Sequence, residues 1–143
     1  MPIFQIDVFS NKVFGGNPAC VVPLENWLKD EILLKIAQEN AVAETAFFVN
    51  RGKNFHLRWF TPDIEMDLCG HATLATAHCI LPELKLESEK VIFETLSGEL
   101  EVSLNNGLYL MDLPTRDAII ATLPYEIKNA LNIQPKKVLK ARD

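Results

Sequence analysis

Basic residues never cluster in this sequence beyond the Lys136-Lys137 pair, and the net charge is −5. That scarcity excludes a nucleic-acid backbone or an anionic membrane surface as partner, because either needs a concentrated positive field. Long apolar runs are missing too: Ala72 to Leu81 and every other apolar stretch fall short of the roughly 18 residues that span a bilayer. Cysteine is scarce and odd in number, with Cys20, Cys69 and Cys79 making three. The Met-Pro-Ile-Phe-Gln start has neither the basic nor the apolar region of a secretory signal, so no disulfide framework is expected and a reducing cytoplasm is. Gly15-Gly16-Asn17-Pro18 lacks the Gly-Lys-Ser/Thr ending of a phosphate loop, and no Gly-x-Ser-x-Gly string places a nucleophilic serine.

What is present is enough apolar material for one core: 143 residues, 48% hydrophobic, are too few for two ordinary domains. Ile3 to Phe9 and Ala19 to Val22 read as strands on either side of a glycine-rich loop, the second stopping at Pro23. Leu28, Ile32, Leu33, Ile36 and Ala37 recur at helical spacing and predict an amphipathic surface helix over Trp27 to Glu39, with Asn26 as its N-cap. Glu44 to Val49 and Phe55 to Phe60 predict an antiparallel hairpin, and Glu99 to Leu104 with Leu108 to Leu113 a second one around Asn105-Asn106-Gly107. Leu74 to Leu81, closed by Pro82, carries no charged residue on any face, which predicts a central helix buried all round and wrapped by short strands. After Pro114 the pattern weakens to a short helix over Pro124 to Leu131 and the start of a strand over Lys137 to Arg142. The expected organisation is one half-domain over 1–113 and a connecting segment over 114–143, leading toward a second half that this sequence lacks.

Few residues carry chemistry. Glu44 lies between apolar segments, where a carboxylate either caps nearby amides at a strand start or is held as a general acid/base by its surroundings. Gly70-His71-Ala72 opens the central helix, whose free N–H groups and positive dipole end favour an anion. His71 either holds that anion or is a buried imidazole that fixes the helix entry. Cys69 is an inert buried thiol or, beside a helix N-terminus, an alternative base. Asn17 either forms its turn or reaches a ligand from the tight loop. Cys69, His71, His78 and Cys79 do not predict a zinc site, because His71 and His78 stand about 10 Å apart along one helix.

Phe14-Gly15-Gly16-Asn17-Pro18-Ala19, Ala43-Glu44-Thr45-Ala46-Phe47 and Asp67-Leu68-Cys69-Gly70-His71-Ala72-Thr73-Leu74-Ala75, in this order, resemble the first half of PhzF-like proteins. This phenazine biosynthesis-like family shares its fold with diaminopimelate epimerase. The resemblance implies an α+β fold in which a strongly curved, mostly antiparallel sheet wraps a central helix. It implies cofactor-independent isomerisation of a small carboxylate-bearing substrate, with Glu44 as proton shuttle and Gly70, His71, Ala72 and Asn17 around the ligand. Two rivals stay open: a cysteine-based epimerase using Cys69, and a half-domain that only binds. A half with an uncovered cleft face is expected to form a homodimer.

Overall fold

Alternating apolar residues set the architecture, which a computed structural model describes for residues 1–84 and 88–141. The chain divides into two compact units, Met1–Leu113 and Pro114–Asp143. In the first, strands β1 (Phe4–Val8), β2 (Asn17–Leu24), β3 (Glu44–Asn50), β4 (Phe55–Phe60), β5 (Glu65–Met66), β6 (Lys90–Thr95), β7 (Gly98–Asn105) and β8 (Leu108–Asp112) form one sheet. Its order is β1-β2-β3-β4-β6-β7-β8, with β5 paired to β4. The β2–β3 and β4–β6 pairs are parallel and the others antiparallel.

The two faces of this sheet separate the apolar residues cleanly. Ala19, Val21, Ala46, Phe48, Leu57, Trp59, Phe93 and Val102 point inward and pack with Ala72 and Ala75 of helix α2 (Gly70–His78). Val22, Phe47 and Phe60 point outward and are covered by Leu33 and Ala37 of helix α1 (Asp30–Asn40). Period two along each strand thus gives a curled sheet with a helix inside and another outside, the mixed α+β architecture expected.

Several boundaries differ from the sequence reading for identifiable reasons. Helix α1 starts after Lys29, not Asn26. Trp27 is held outside the helix, its indole donating to His56 Nδ1 at 2.9 Å, and Asp30 in the first turn pairs with Arg58 at 2.9 Å. Strand β2 runs through Pro23 to Leu24, in parallel register with Phe48 and Val49. Around Gly15 and Gly16 the left-handed residues are Phe9 and Phe14, with φ of 65° and 62°. The glycines serve close approach instead: a Cβ on Gly16 would sit 2.4 Å from the Val8 carbonyl oxygen.

Helix α2 also departs from expectation. Its α-helical part ends at His78 and continues as a π turn over Cys79–Glu83 that includes Pro82, closed by the Leu84 N–H on the Cys79 carbonyl at 3.0 Å. The wider turn accommodates a proline ring that a continuing α-helix would reject. Burial is not all round: Gly70, His71, Leu74 and His78 are only partly buried and form one stripe at helical spacing.

The second unit holds β9 (Ile119–Ile120), α3 (Tyr125–Ala130) and β10 (Leu139–Lys140), with β9 and β10 antiparallel. The strand anticipated from Lys137 is therefore two residues long, and Arg142 lies outside the described residues. The strand over Lys90–Thr95 had no counterpart in the sequence reading.

Candidate active site

Glu44 opens β3 on the same face as Ala46 and Phe48, so strand periodicity aims it inward at α2. The parallel register sets Ala19 beside Glu44, and Asn17, two residues earlier on Ala19's face, lies at the same end of the sheet. Asn17 is exposed and stays outside the contacts that join the other candidates.

Those contacts centre on the first turn of α2. Cys69 precedes the helix in extended backbone, with φ of −144°, and its carbonyl accepts from the Thr73 hydroxyl at 2.6 Å. Such back-bonding threonines, Thr76 on Ala72 being another at 2.7 Å, let polar side chains lie inside the sheet at little cost. His71 then stands between two partners: its Nδ1 is 3.5 Å from Cys69 Sγ, and its Nε2 is 3.3 Å from Glu44 Oε2. The His71 and Glu44 side chains are only 11% and 18% exposed. Among the described residues, neither Glu44 Oε2 nor His71 Nε2 has a hydrogen-bond partner, although both atoms are buried.

Burial pushes the Cys69 thiol up to about 11, against the pull of the Ala72 and His71 backbone N–H groups; the Glu44 charge adds to the rise. Gly70 leaves space at the helix entrance, since a Cβ there would meet only the Met111 methyl, at 3.5 Å. The donor atoms of Glu44, Cys69 and His71 lie within 4.8 Å of one another, close enough to surround an ion. Cys69 and Glu44 address opposite nitrogens of one imidazole, however, so an ion replacing one contact would not replace the other; the three side chains stand in the order thiol, imidazole, carboxylate.

The structure brings Glu44, Cys69, Gly70, His71 and Ala72 to one point and leaves Asn17 at its margin. His78 and Cys79 belong elsewhere: Cys79 is buried, and His78 Nδ1 meets the Tyr109 hydroxyl at 2.9 Å. That pair lines a groove of about 780 Å³ between β1, α2 and β8, with Ile6, Leu74 and Leu108. The sequence reading missed Tyr109. Its signal was the alternation in β8, where Tyr109 and Met111 are half-buried while Leu108, Leu110 and Asp112 are exposed.

Comparison with known proteins agrees with this fold. The family described as phenazine biosynthesis-like protein matches residues 6–132. An uncharacterized isomerase of Pseudomonas aeruginosa is 46% identical over 143 residues, covering 100% of this chain and 55% of its own length. A crystal structure of a PhzF-family phenazine biosynthesis protein from Enterococcus faecalis superposes with a TM-score of 0.88 at 39% identity, covering 99% of this chain and 54% of that one. A predicted epimerase of Pseudomonas aeruginosa shares the fold, with a TM-score of 0.70 at 22% identity. The chain thus spans about half the length of the relatives it matches, and it belongs to the phenazine biosynthesis-like, or PhzF-like, isomerase family.

Proposed function

We propose that this chain supplies the proton-moving residues of a cofactor-independent isomerase acting on a small carboxylate-bearing substrate. Glu44 takes a proton from one substrate carbon and returns it to another. Gly70, His71 and Ala72, at the positive end of α2, receive the substrate carboxylate, and Asn17 closes over it from the β1–β2 loop. The observation that carries this reading is the buried Glu44–His71 pair at the mouth of a helix, 3.3 Å apart, whose facing Oε2 and Nε2 have no hydrogen-bond partner among the described residues. Buried polar atoms left without partners cost stability, so their retention here favours a role with a ligand. The isomerase names of relatives support the reaction class.

Cys69 is the weaker candidate for the base. A thiol held near 11 by burial supplies little thiolate at neutral pH. Association of two copies is part of the proposal, since Phe9, Val13, Phe14, Leu108 and Leu110 are all exposed. A monodisperse monomer in sedimentation at tens of micromolar would remove that part.

The test of the chemistry is incubation in deuterated water with a dihydroaromatic carboxylic acid, reading deuterium at carbon by mass spectrometry. Glu44→Gln should abolish incorporation while Cys69→Ser retains it. The reverse pattern moves the chemistry to Cys69, and no incorporation by the unmodified chain reduces it to a binding half.

A further inference from the structure

We infer that Cys69 is a positioning residue: its S–H donates to Nδ1 of His71, fixing the imidazole proton on Nε2 and directing that N–H at the Glu44 carboxylate. The inference deepens the proton-shuttle reading and rests on it for its catalytic consequence; the tautomer itself stands on geometry.

A neutral imidazole offers one donor and one acceptor. Cys69 Sγ lies 3.5 Å from Nδ1 and Glu44 Oε2 lies 3.3 Å from Nε2, so the two partners divide the ring between them. Were the proton on Nδ1, the Nε2 lone pair would face a carboxylate oxygen. Two acceptors would then be buried against each other with no donor, and both atoms lack any other hydrogen-bond partner among the described residues. A proton on Nε2 instead puts a donor on the side of the ring that faces Oε2, 3.3 Å away. The sulfur side agrees: burial keeps the Cys69 thiol protonated against the pull of the Ala72 and His71 backbone N–H groups, so an S–H is there to donate to Nδ1. A doubly protonated ring would leave that S–H without the Nδ1 lone pair as its acceptor.

The consequence for the reaction is directional. With Nε2–H facing it at 3.3 Å, Glu44 acts first as base. The substrate C–H bond breaks as a Glu44 O–H forms; that O–H then breaks as the new C–H forms, and the imidazole proton stays on Nε2 throughout. Cys69 touches neither substrate nor reacting atoms in this scheme.

The test is long-range ¹H–¹⁵N correlation NMR of the full chain carrying ¹⁵N-histidine, at neutral pH. The expected result is a neutral His71 protonated on Nε2. Cys69→Ala should shift His71 toward the Nδ1-protonated form and slow deuterium incorporation about tenfold, the scale of one hydrogen bond. Cys69→Ser, which restores a donor, should recover both. A His71 protonated on Nδ1 or on both nitrogens in the unmodified chain overturns the inference, as does a Cys69→Ala tautomer identical to the original. Should Cys69→Ala fail to fold, the unmodified and Cys69→Ser spectra still decide the point. Retained incorporation in Glu44→Gln with the expected tautomer would refute the proton shuttle and leave the tautomer assignment standing.

Discussion

Helix α2 carries a histidine at each end of one partly buried stripe, and the two have different surroundings. His71, at the start, stands between a thiol and a carboxylate, with its Nε2 and the Glu44 oxygen unsatisfied. His78, seven residues later, makes a hydrogen bond and an edge-on ring contact with Tyr109, the centroids 5.8 Å apart. The same side chain on the same helix face is thus left with an unpartnered nitrogen or fully settled according to what the sheet brings opposite it.

The largest expected effect separates the two ends directly. Glu44→Gln should lower solvent-hydrogen incorporation by about 10²–10⁴-fold, the scale of a lost general base, whereas His78→Gln should change it by less than about twofold. Comparable losses from both would erase the contrast.

Glycine sharpens the contrast on the stability side. Gly16→Ala forces a methyl to within 2.4 Å of the Val8 carbonyl oxygen and should destabilise by about 1–3 kcal/mol in chemical denaturation. Gly70→Ala meets only Met111 at 3.5 Å and should alter stability by less than about 1 kcal/mol, while narrowing the helix entrance and raising KM. Smaller still, Tyr109→Phe removes the partner of His78 and should cost about 1 kcal/mol in the same assay with incorporation unchanged.

The third histidine gives a pH-dependent test. His56, on the outer-face side of β4 near Trp27, has its pKa lowered from 6.5 by burial first, then by the Arg51 and Arg58 charges. Protonation is therefore harder in the folded chain than in the unfolded one. The stability this group contributes is complete above the unfolded value and is lost as pH falls through the lower folded value. His56→Gln should flatten the fall in Tm between about pH 7 and pH 5; an unchanged slope would assign that fall to other groups.

Much of this was legible from residue patterns. Alternation in Phe55 to Phe60 and in the Asn105-Asn106-Gly107 hairpin predicted strands that formed, since period two leaves no other way to bury one face. The charge-free run after Gly70 predicted the inner helix, but mean apolarity could not reveal its open stripe: Ala, Thr and His are all compatible with burial and with a site. Boundaries were set by tertiary contacts that local sequence does not encode, such as Arg58 holding Asp30 and Glu65 across the sheet. At the site, Glu44, Cys69 and His71 were each singled out separately. Their junction through opposite imidazole nitrogens depends on register between β3 and α2, and no spacing along the chain states that.

The most direct measurement is titration of the ¹⁵N-histidine chain with benzoate, a simple aromatic carboxylate, following all three imidazoles by NMR. Shifts at His71 with His78 and His56 unmoved are the predicted result. Shifts at His78 with His71 unmoved would place the carboxylate in the Tyr109 groove and contradict the account.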